Sequence, residues 1–368
     1  MKQIARKIFS FSFMIVLFAL IGIAVYLILS TRKVAIVENR VGAVFIGSVE
    51  DKGWNQAHYE GIKDACEKLK LPLFIEEDIA ETLEATEPAV DRLVNEKKCN
   101  VILLTSDGFG DNLAPLYDKY SNIRFYTVSP EADYYNVNTY FCRLYQLRYL
   151  CGIIAGKMTK SNVIGYICGT PSCQCVRQLN AFTIGARSVN PDVVVKVKFV
   201  GSWYEPEKEK KAAMDFITKH GADIISYHTS SPFAIDIAEQ MGVYSIGYNL
   251  VRTERSDNFL TAALYQWEPI YEQFLSDFQK STVGKDKYYW LGVLYDTVSF
   301  YRFSPEIPQD VIDLVFEKED EIKAGSDVFV DEIYSNDGKL MCKQGERIGD
   351  DAMLHTMLWY VEGVEVYD

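Results

Sequence analysis

The stretch VGAVFIGSVEDKGWNQAHYEGIKDACEKL, residues 41–69, joins a run of β-forming residues to a segment with helical periodicity. The same order recurs along most of the chain. The predicted strands lie at 41–47, 71–77, 101–106, 123–129, 137–141, 162–168, 193–200, 222–228 and 243–249. Strands that alternate with helices indicate βαβ units and parallel sheets. These strands are too many for one open sheet, so we predict an α/β protein with two Rossmann-like lobes.

The predicted lobes each take two separate parts of the chain. Lobe 1 is expected to comprise residues 34–142 and 262–288, and lobe 2 residues 143–261 and 289–368. The last third of the chain contains short strands that can cross back and forth between the lobes. We therefore expect a hinge made of several strands.

The amino terminus, residues 1–33, is predicted to be a membrane anchor. A basic segment, MKQIARK, precedes 22 uncharged residues at 8–29. As a helix this segment would span roughly 30 Å, the thickness of the hydrocarbon layer. The excess of positive charge before it places the amino end in the cytoplasm and the body on the extracytoplasmic side, periplasmic or extracellular. The alternative is a cleaved signal peptide, although the flank LSTRKVA lacks a good cleavage pattern.

Composition argues against a nucleic-acid partner. The chain of 368 residues has a formal net charge of −13 and no basic stripe that could follow a phosphate backbone. It is rich in aromatic residues, with 24 Tyr, 20 Phe and 5 Trp. Many of these rings must therefore lie at the surface or in a cleft.

The eight cysteines cluster only in CGTPSCQC, residues 168–175. This spacing fits no common zinc site. The sequence leaves two alternatives open. The cysteines are small apolar residues or form one local disulfide, or else Cys173 and Cys175 form a redox or metal pair.

In open α/β sheets, ligands bind beyond the carboxyl ends of the strands. The residues that follow the predicted strands are therefore the candidate binding residues. They are Asp51, Trp54, Asn55, His58, Phe109, Arg143, Trp203, Tyr204, Ser230, Asn249 and Trp267. Aromatic rings drawn from both lobes could stack on a flat heterocycle, each contributing roughly 1–3 kcal/mol. The alternative is that individual rings only pack in a core.

Catalytic patterns are missing from the sequence. It contains no G-x-S-x-G elbow and no phosphate-binding loop of the G-x-x-x-x-G-K-[ST] type. No two of the four histidines have metal-ligand spacing. We predict no catalytic chemistry, no cofactor and no metal.

Several long motifs, in this order, resemble the basic membrane protein family of substrate-binding proteins of ABC transporters, in particular the group that binds purine nucleosides and nucleobases. They are DKGWNQAHYEG (51–61), NVNTYFCRLYQLRYLCGIIAGKMTKSNVIGYI (136–167), NAFTIGARSVNPDVVVKV (180–197), SWYEPEKEKKAA (202–213), GVYSIGYN (242–249) and DGKLMCKQGERIGDDAMLHTMLWYVEGVE (337–365). The resemblance covers about residues 38–366 and implies a type I periplasmic-binding-protein fold that closes over a ligand.

The resemblance implies that Trp54, Phe109, Trp203, Tyr204 and Trp267 line the cleft. The chain departs from its relatives where Ser230 replaces an aspartate and where Asn249 and Val251 replace carboxylates. These changes remove strong hydrogen-bond acceptors, so the ligand can differ from a common purine.

We therefore expect a solute-binding protein that captures a purine base, a nucleoside or a similar flat heterocycle and docks on ABC permease subunits. The alternative is a membrane-tethered sensor of the same fold that signals rather than delivers its ligand. A nucleoside hydrolase or phosphorylase would need a metal loop or a phosphate site, and we find neither in the sequence.

Overall fold

A computed structural model describes residues 20–23, 39–51, 53–128, 132, 134–249, 254–282 and 288–367. By its internal contacts the chain divides into Met1–Asn39 and Arg40–Asp368. In the first unit residues 20–23 are helical. The rest of the predicted membrane helix lies outside the described residues. Within the described ranges, no helix combines the length and the apolar character needed to cross a bilayer.

The unit Arg40–Asp368 alternates strands and helices, as the sequence pattern predicts. Its strands are β1 Val41–Val44, β2 Leu73–Glu76, β3 Val101–Leu104, β4 Arg124–Thr127, β5 Val137–Cys142, β6 Val163–Cys168, β7 Val194–Phe199, β8 Ile224–His228, β9 Tyr244–Asn249, β10 Phe259–Tyr265, β11 Tyr288–Leu291, β12 Val298–Phe300, β13 Ile333–Tyr334, β14 Leu340–Cys342 and β15 Val364–Tyr367. Its α-helices are α1 Trp54–Leu69, α2 Leu83–Asp91, α3 Ala114–Lys119, α4 Leu144–Met158, α5 Cys173–Val189, α6 Pro206–His220, α7 Phe233–Met241, α8 Trp267–Gln279 and α9 Gln309–Lys323.

The strands form two large sheets and one small one. The first sheet has the order β11-β5-β4-β3-β1-β2, and all of its pairings are parallel. The second has the order β12-β10-β9-β8-β6-β7-β15, in which only the β10–β12 pair is antiparallel. Strands β13 and β14 form a separate antiparallel pair. The α/β fold with parallel sheets is thus confirmed.

All nine sequence-predicted strands are present, and the sheets divide them between 41–142 and 163–249. Strand β10 pairs in the second sheet, although the predicted lobe 1 resumes at residue 262. Helix α8, which follows it, packs on α1 of the first sheet. The exact limits of the two lobes stay a prediction.

The chain passes between the two large sheets at three points in its described part. It leaves the first sheet after β5, returns to it after β10, and leaves it again after β11. Strands β5 and β11 are neighbours at one edge of the first sheet, and β10 and β12 are neighbours at one edge of the second.

Helices α4 and α5 pack with their backbones in unusually close contact. A Cβ atom added at Gly152 would lie 2.0 Å from the carbonyl oxygen of Phe182. One added at Gly185 would lie 1.9 Å from the carbonyl oxygen of Tyr149. Both positions therefore need glycine. This contact fixes α5, whose amino end lies at the cavity described below.

Candidate ligand-binding site

A cavity of about 460 Å³ lies where the carboxyl ends of both large sheets face each other. Its lining comes from loops and helices of both sheets. The lining residues are Ile46, Gly53, Trp54, Ser106, Asp107, Val128, Phe141, Gln174, Trp203, Tyr227, Thr229, Ser230, Pro232, Ile235, Tyr248, Asn249, Arg255 and Phe259. The volume is that of an ordinary small-molecule site.

Trp54 supplies one wall, and Asp51 fixes its position. The Asp51 carboxylate accepts hydrogen bonds from the backbone N–H groups of Gly53, Asn55 and Gln56 at 2.7, 3.1 and 3.0 Å. These are N–H groups that the start of a helix leaves without intrahelical partners. Burial alone would raise the pKa of Asp51, but these hydrogen bonds outweigh it and lower the pKa. Helix α1 consequently begins at Trp54.

The indole of Trp54 is half-buried and anchored at its nitrogen. Its Nε1 donates to the carbonyl oxygen of Thr105 at 2.7 Å, just beyond the end of β3. The bond satisfies the polar atom of the ring and holds it at the ends of two neighbouring strands. One part of the ring remains available to the cavity.

A buried aromatic stack supports Trp54 from behind. The ring of Trp267 meets that of Trp54 edge to face, with centroids 5.4 Å apart. His58 stacks on Trp267 at 3.9 Å, and its Nδ1 lies 2.5 Å from the Tyr271 hydroxyl. Complete burial holds the pKa of His58 well below its usual value, so the ring is neutral at pH 7.

The opposite wall comes from the second sheet. Trp203 follows β7 and is 37% exposed, and its ring centroid lies 5.8 Å from that of His228. The carbonyl oxygen of Trp203 accepts a hydrogen bond from the N–H of Ser230 at 2.7 Å. The loop that contains Thr229 and Ser230 therefore positions Trp203.

A buried carboxylate fixes that loop. Glu209 of α6 is fully buried and accepts hydrogen bonds from the hydroxyls of Thr229 at 3.1 Å and Ser231 at 2.8 Å. A third bond comes from the N–H of Glu205 at 3.1 Å. Three donors thus offset the cost of burying the charge.

Asn249 ends β9 in the left-handed region, with a φ of 63°. Asparagine tolerates this conformation better than most residues with a side chain. Its neighbour Tyr248 is buried and packs against His228 with ring centroids 4.0 Å apart. This corner offers an amide and the edge of a ring to the cavity.

Four of the predicted binding residues therefore line the cavity: Trp54, Trp203, Ser230 and Asn249. Their contact with a ligand stays a prediction. Asp51, Asn55, His58 and Trp267 lie outside the lining and hold or support Trp54. Asn55 is buried and donates from its side-chain Nδ2 to Asp51 at 2.9 Å.

The other three predicted residues also lie outside the lining. Phe109 is fully buried in a separate core cluster behind the first sheet. Arg143 forms an ion pair with Asp350 and donates from Nε to the Trp290 carbonyl oxygen at 2.8 Å. Tyr204 is 62% exposed and lies next to Phe233.

The sequence analysis missed Phe141, Gln174 and Arg255 in the lining. Gln174 follows β6, so the rule of strand ends could have identified it. Arg255 lies between two strands and forms ion pairs with Asp236 and Glu239. No sequence signal indicated its position.

A second cavity of about 380 Å³ adjoins the first. The two share the lining residues Asp107, Val128, Phe141, Gln174 and Trp203. The second is also lined by Thr170, Ser172, Cys173, Arg177, Tyr288, Leu354 and His355. It is consequently the more polar of the two.

All eight cysteines are free thiols in the structure. Seven are buried, and Cys173 is half-buried in the second cavity. Burial raises the pKa of most of them, to about 12 for Cys66 and Cys151. Within the described residues no group of histidines, cysteines and carboxylates could hold a metal ion.

Two largely parallel sheets whose carboxyl ends face a shared cleft are the architecture of the periplasmic-binding-protein fold. The family model for PnrA-like substrate-binding proteins of ABC transporters, Bmp, matches residues 38–331. The chain therefore belongs to the Bmp family, and the resemblance seen in its motifs is confirmed. Such proteins bind small molecules outside the cytoplasm and deliver them to permeases. They are not enzymes, which confirms that prediction as well.

The chain is 34% identical, over 331 residues, to a purine-binding protein of Brucella abortus (strain 2308), covering 89% of this chain and 93% of that protein. Among solved structures it resembles a transcriptional activator of the comK gene from Bacillus halodurans, with a TM-score of 0.68 and 20% identity over 78% of this chain and 99% of the other. It also resembles an ABC transporter solute-binding protein of Conexibacter woesei, with a TM-score of 0.64 and 17% identity over 78% of this chain and 97% of the other. The structural likenesses concern the fold alone.

Proposed function

We propose that this protein is the extracytoplasmic receptor of an ABC uptake system and that its ligand is a purine base or nucleoside. The observation that carries the proposal is the pair of indoles, Trp54 and Trp203, which reach one cavity from different sheets. A flat, uncharged ring between them would bury both of its faces against aromatic carbon. The purine-binding relative at 34% identity supports the same ligand class.

Polar groups around the indoles suit the edge of a heterocycle. Ser106, Gln174 and Asn249 line the cavity and together offer hydroxyl and amide groups, which both donate and accept. Closure of the lobes over the ligand would exclude water and strengthen these hydrogen bonds. The closed receptor would then dock on the permease subunits, and the chain itself needs no cofactor.

Calorimetric titration of the purified protein with adenine, hypoxanthine, guanine, adenosine and inosine tests the proposal. Trp54→Ala and Trp203→Ala should each weaken binding of the preferred purine at least tenfold. Tyr204→Ala is the matched control, because Tyr204 is aromatic and exposed beside Trp203 but lies outside the cavity lining. Unchanged affinity in both tryptophan variants, or no binding of any purine, would refute the proposal.

The sensor alternative shares this cavity and differs only in the partner. Uptake of the radiolabelled purine should disappear when the gene is deleted if the protein delivers its ligand. Uptake that persists, together with a lost transcriptional or behavioural response to the purine, would favour the sensor. Genes for a permease and an ATPase beside this one would favour delivery.

A further inference from the structure

Arg177 is a buried cation in the second cavity, and the described residues supply it with no carboxylate counter-ion. Its side chain is almost completely buried, at 3% exposed, yet it contributes to the cavity lining. Nη1 donates to the carbonyl oxygen of Met353 at 2.7 Å, and Nε has no hydrogen-bond partner. Burial lowers the pKa of the guanidinium. A buried charge with an unsatisfied donor is costly, so an anionic group placed at this corner would be stabilised.

Two other arginines near the cleft, Arg143 and Arg255, have carboxylate counter-ions. The guanidinium of Arg143 lies 4.2 Å from the Trp290 ring centroid, and that of Arg177 lies 4.9 Å from it. Arg143, however, also forms a two-pronged ion pair with Asp350. Arg255 is paired with two carboxylates. Across the described ranges, no carboxylate forms an ion pair with Arg177.

The amino end of helix α5 reaches the same cavity. Its N-cap Ser172 and its first residues, Cys173 and Gln174, are part of the lining. The first N–H groups of a helix and its dipole favour a negative charge at this end. Arg177 lies one turn further along the same helix, so both features make the same corner positive.

The position of the corner relates it to the aromatic cavity. The two cavities share Gln174 and Trp203, so one ligand can extend from the indoles towards Arg177. Arg177 lines only the second cavity, so its guanidinium lies at the far end of that path from the first cavity. The Arg177 end is therefore the favourable end for a negative group.

We infer that Arg177 and the amino end of α5 form an anion subsite, which binds a phosphate or carboxylate carried by the flat heterocycle. The inference rests on the proposed function and makes it more specific, because the preferred ligand becomes an anionic derivative rather than a neutral base. Phosphate and carboxylate both match the planar donor set of a guanidinium. They are distinguished by the ligands used in the test.

The test compares Arg177→Met with Arg187→Met in the full-length protein. Arg187 lies on the same helix but forms an exposed ion pair with Glu362, away from the cavity. Calorimetry measures two ligand pairs, adenosine against adenosine 5′-monophosphate and uracil against orotate. In the wild type and in Arg187→Met, the anionic member of at least one pair should bind at least tenfold more tightly. In Arg177→Met this preference should fall below twofold.

Thermal melting separates the anion subsite from the purine receptor. The melting temperature is measured in inorganic phosphate and in acetate, and each is compared with potassium chloride of equal ionic strength. One possible result is that phosphate or acetate raises the melting temperature, that only Arg177→Met loses this effect, and that no heterocycle binds. That result would support the subsite and refute the purine receptor. Binding of adenosine without an anionic preference would overturn the subsite alone. A preference that survives Arg177→Met would overturn it too. If Arg177→Met fails to fold, Arg177→Lys replaces it in the test. Its affinity for the anionic ligand should fall at least fivefold, and its affinity for the neutral ligand should not change.

Discussion

The ring of Trp267, buried and outside the cavity, meets the ring of Trp54 edge to face at a centroid distance of 5.4 Å. An indole that lines the cavity is thus positioned by an indole that does not. Gly61 permits the approach of α8 that brings them together, because a Cβ there would lie 2.7 Å from that of Trp267.

Trp267→Ala should therefore lower both stability and affinity. Truncation of a buried tryptophan costs about 3–5 kcal/mol of unfolding free energy. Purine affinity should fall at least fivefold, because Trp54 loses its support. Trp267→Phe should recover most of both. Urea unfolding and calorimetry measure the two effects, with Trp359→Ala, outside the cavity lining, as the control expected to change stability alone. Wild-type affinity in Trp267→Ala would contradict the supporting role.

Glu209 is expected to act on the ligand through Thr229 and Ser231. Glu209→Ala leaves the buried Ser231 hydroxyl without its acceptor and the Thr229 hydroxyl with only the Ser231 carbonyl oxygen, which should cost about 1–3 kcal/mol of stability. It should also weaken purine binding several-fold, because the loop beside Trp203 is released. Glu207→Ala, on the same helix but exposed and paired with Lys210, should change neither. Equal affinities in the two variants would show that the loop holds its position without the carboxylate.

Stability should fall as the pH drops below about 6.5, in part because of His58 and His228. Both are fully buried, and burial, the main cause, depresses their pKa; for His228 the nearby Arg148 and Arg177 lower it further. Below pH 6.5 the two imidazoles bind protons in the unfolded chain but stay neutral in the folded chain. A fall in pH therefore favours unfolding. Each histidine can add up to about 1.4 kcal/mol per pH unit.

His58→Asn should reduce the loss of unfolding free energy between pH 6.5 and 5 by the amount that His58 contributes. Urea unfolding at several pH values measures the slope, and carboxylates contribute equally to wild type and variant. His355→Asn, at an exposed position, is the control and should leave the slope unchanged. An identical slope in His58→Asn and wild type would mean that folding does not lower the pKa of His58.

The close contact between α4 and α5 predicts a strong effect of one methyl group. Gly152→Ala places a Cβ against the carbonyl oxygen of Phe182, so the helices must separate, at a cost of about 1–3 kcal/mol. Gly349→Ala is the matched control, since nothing lies within 4 Å of the added atom. Chemical denaturation of both variants should show a lower midpoint for Gly152→Ala only.

The sequence predicted the sheets well because the alternation of apolar strands and amphipathic helices is a local property. Strand ends also led to Trp54, Trp203, Ser230 and Asn249, all of which line the cavity. The path of a loop beyond its strand is not a local property, because it depends on contacts with other parts of the chain. Phe109 follows β3 as regularly as Trp54 follows β1, yet its loop turns back. The Tyr117 hydroxyl donates to the Phe109 carbonyl oxygen at 3.1 Å, and the ring is sealed in the interior.

Arg177 shows a second limit of sequence reasoning. It lies inside a helix rather than at a strand end, and its lack of a counter-ion depends on residues far away in the chain. Met353, whose carbonyl oxygen accepts a hydrogen bond from Arg177, is 176 residues distant. Only the assembled structure reveals that Arg143 is paired with Asp350, whereas no carboxylate in the described part of the chain pairs with Arg177.

The three passages of the chain between the sheets restrict how the molecule can move. They leave from strands at one edge of each sheet, β5 and β11 on one side and β10 on the other. A single connecting strand would allow swivelling in any direction, whereas three adjacent ones resist torsion and permit bending about one axis. Any opening and closing of the cavity would then follow one path.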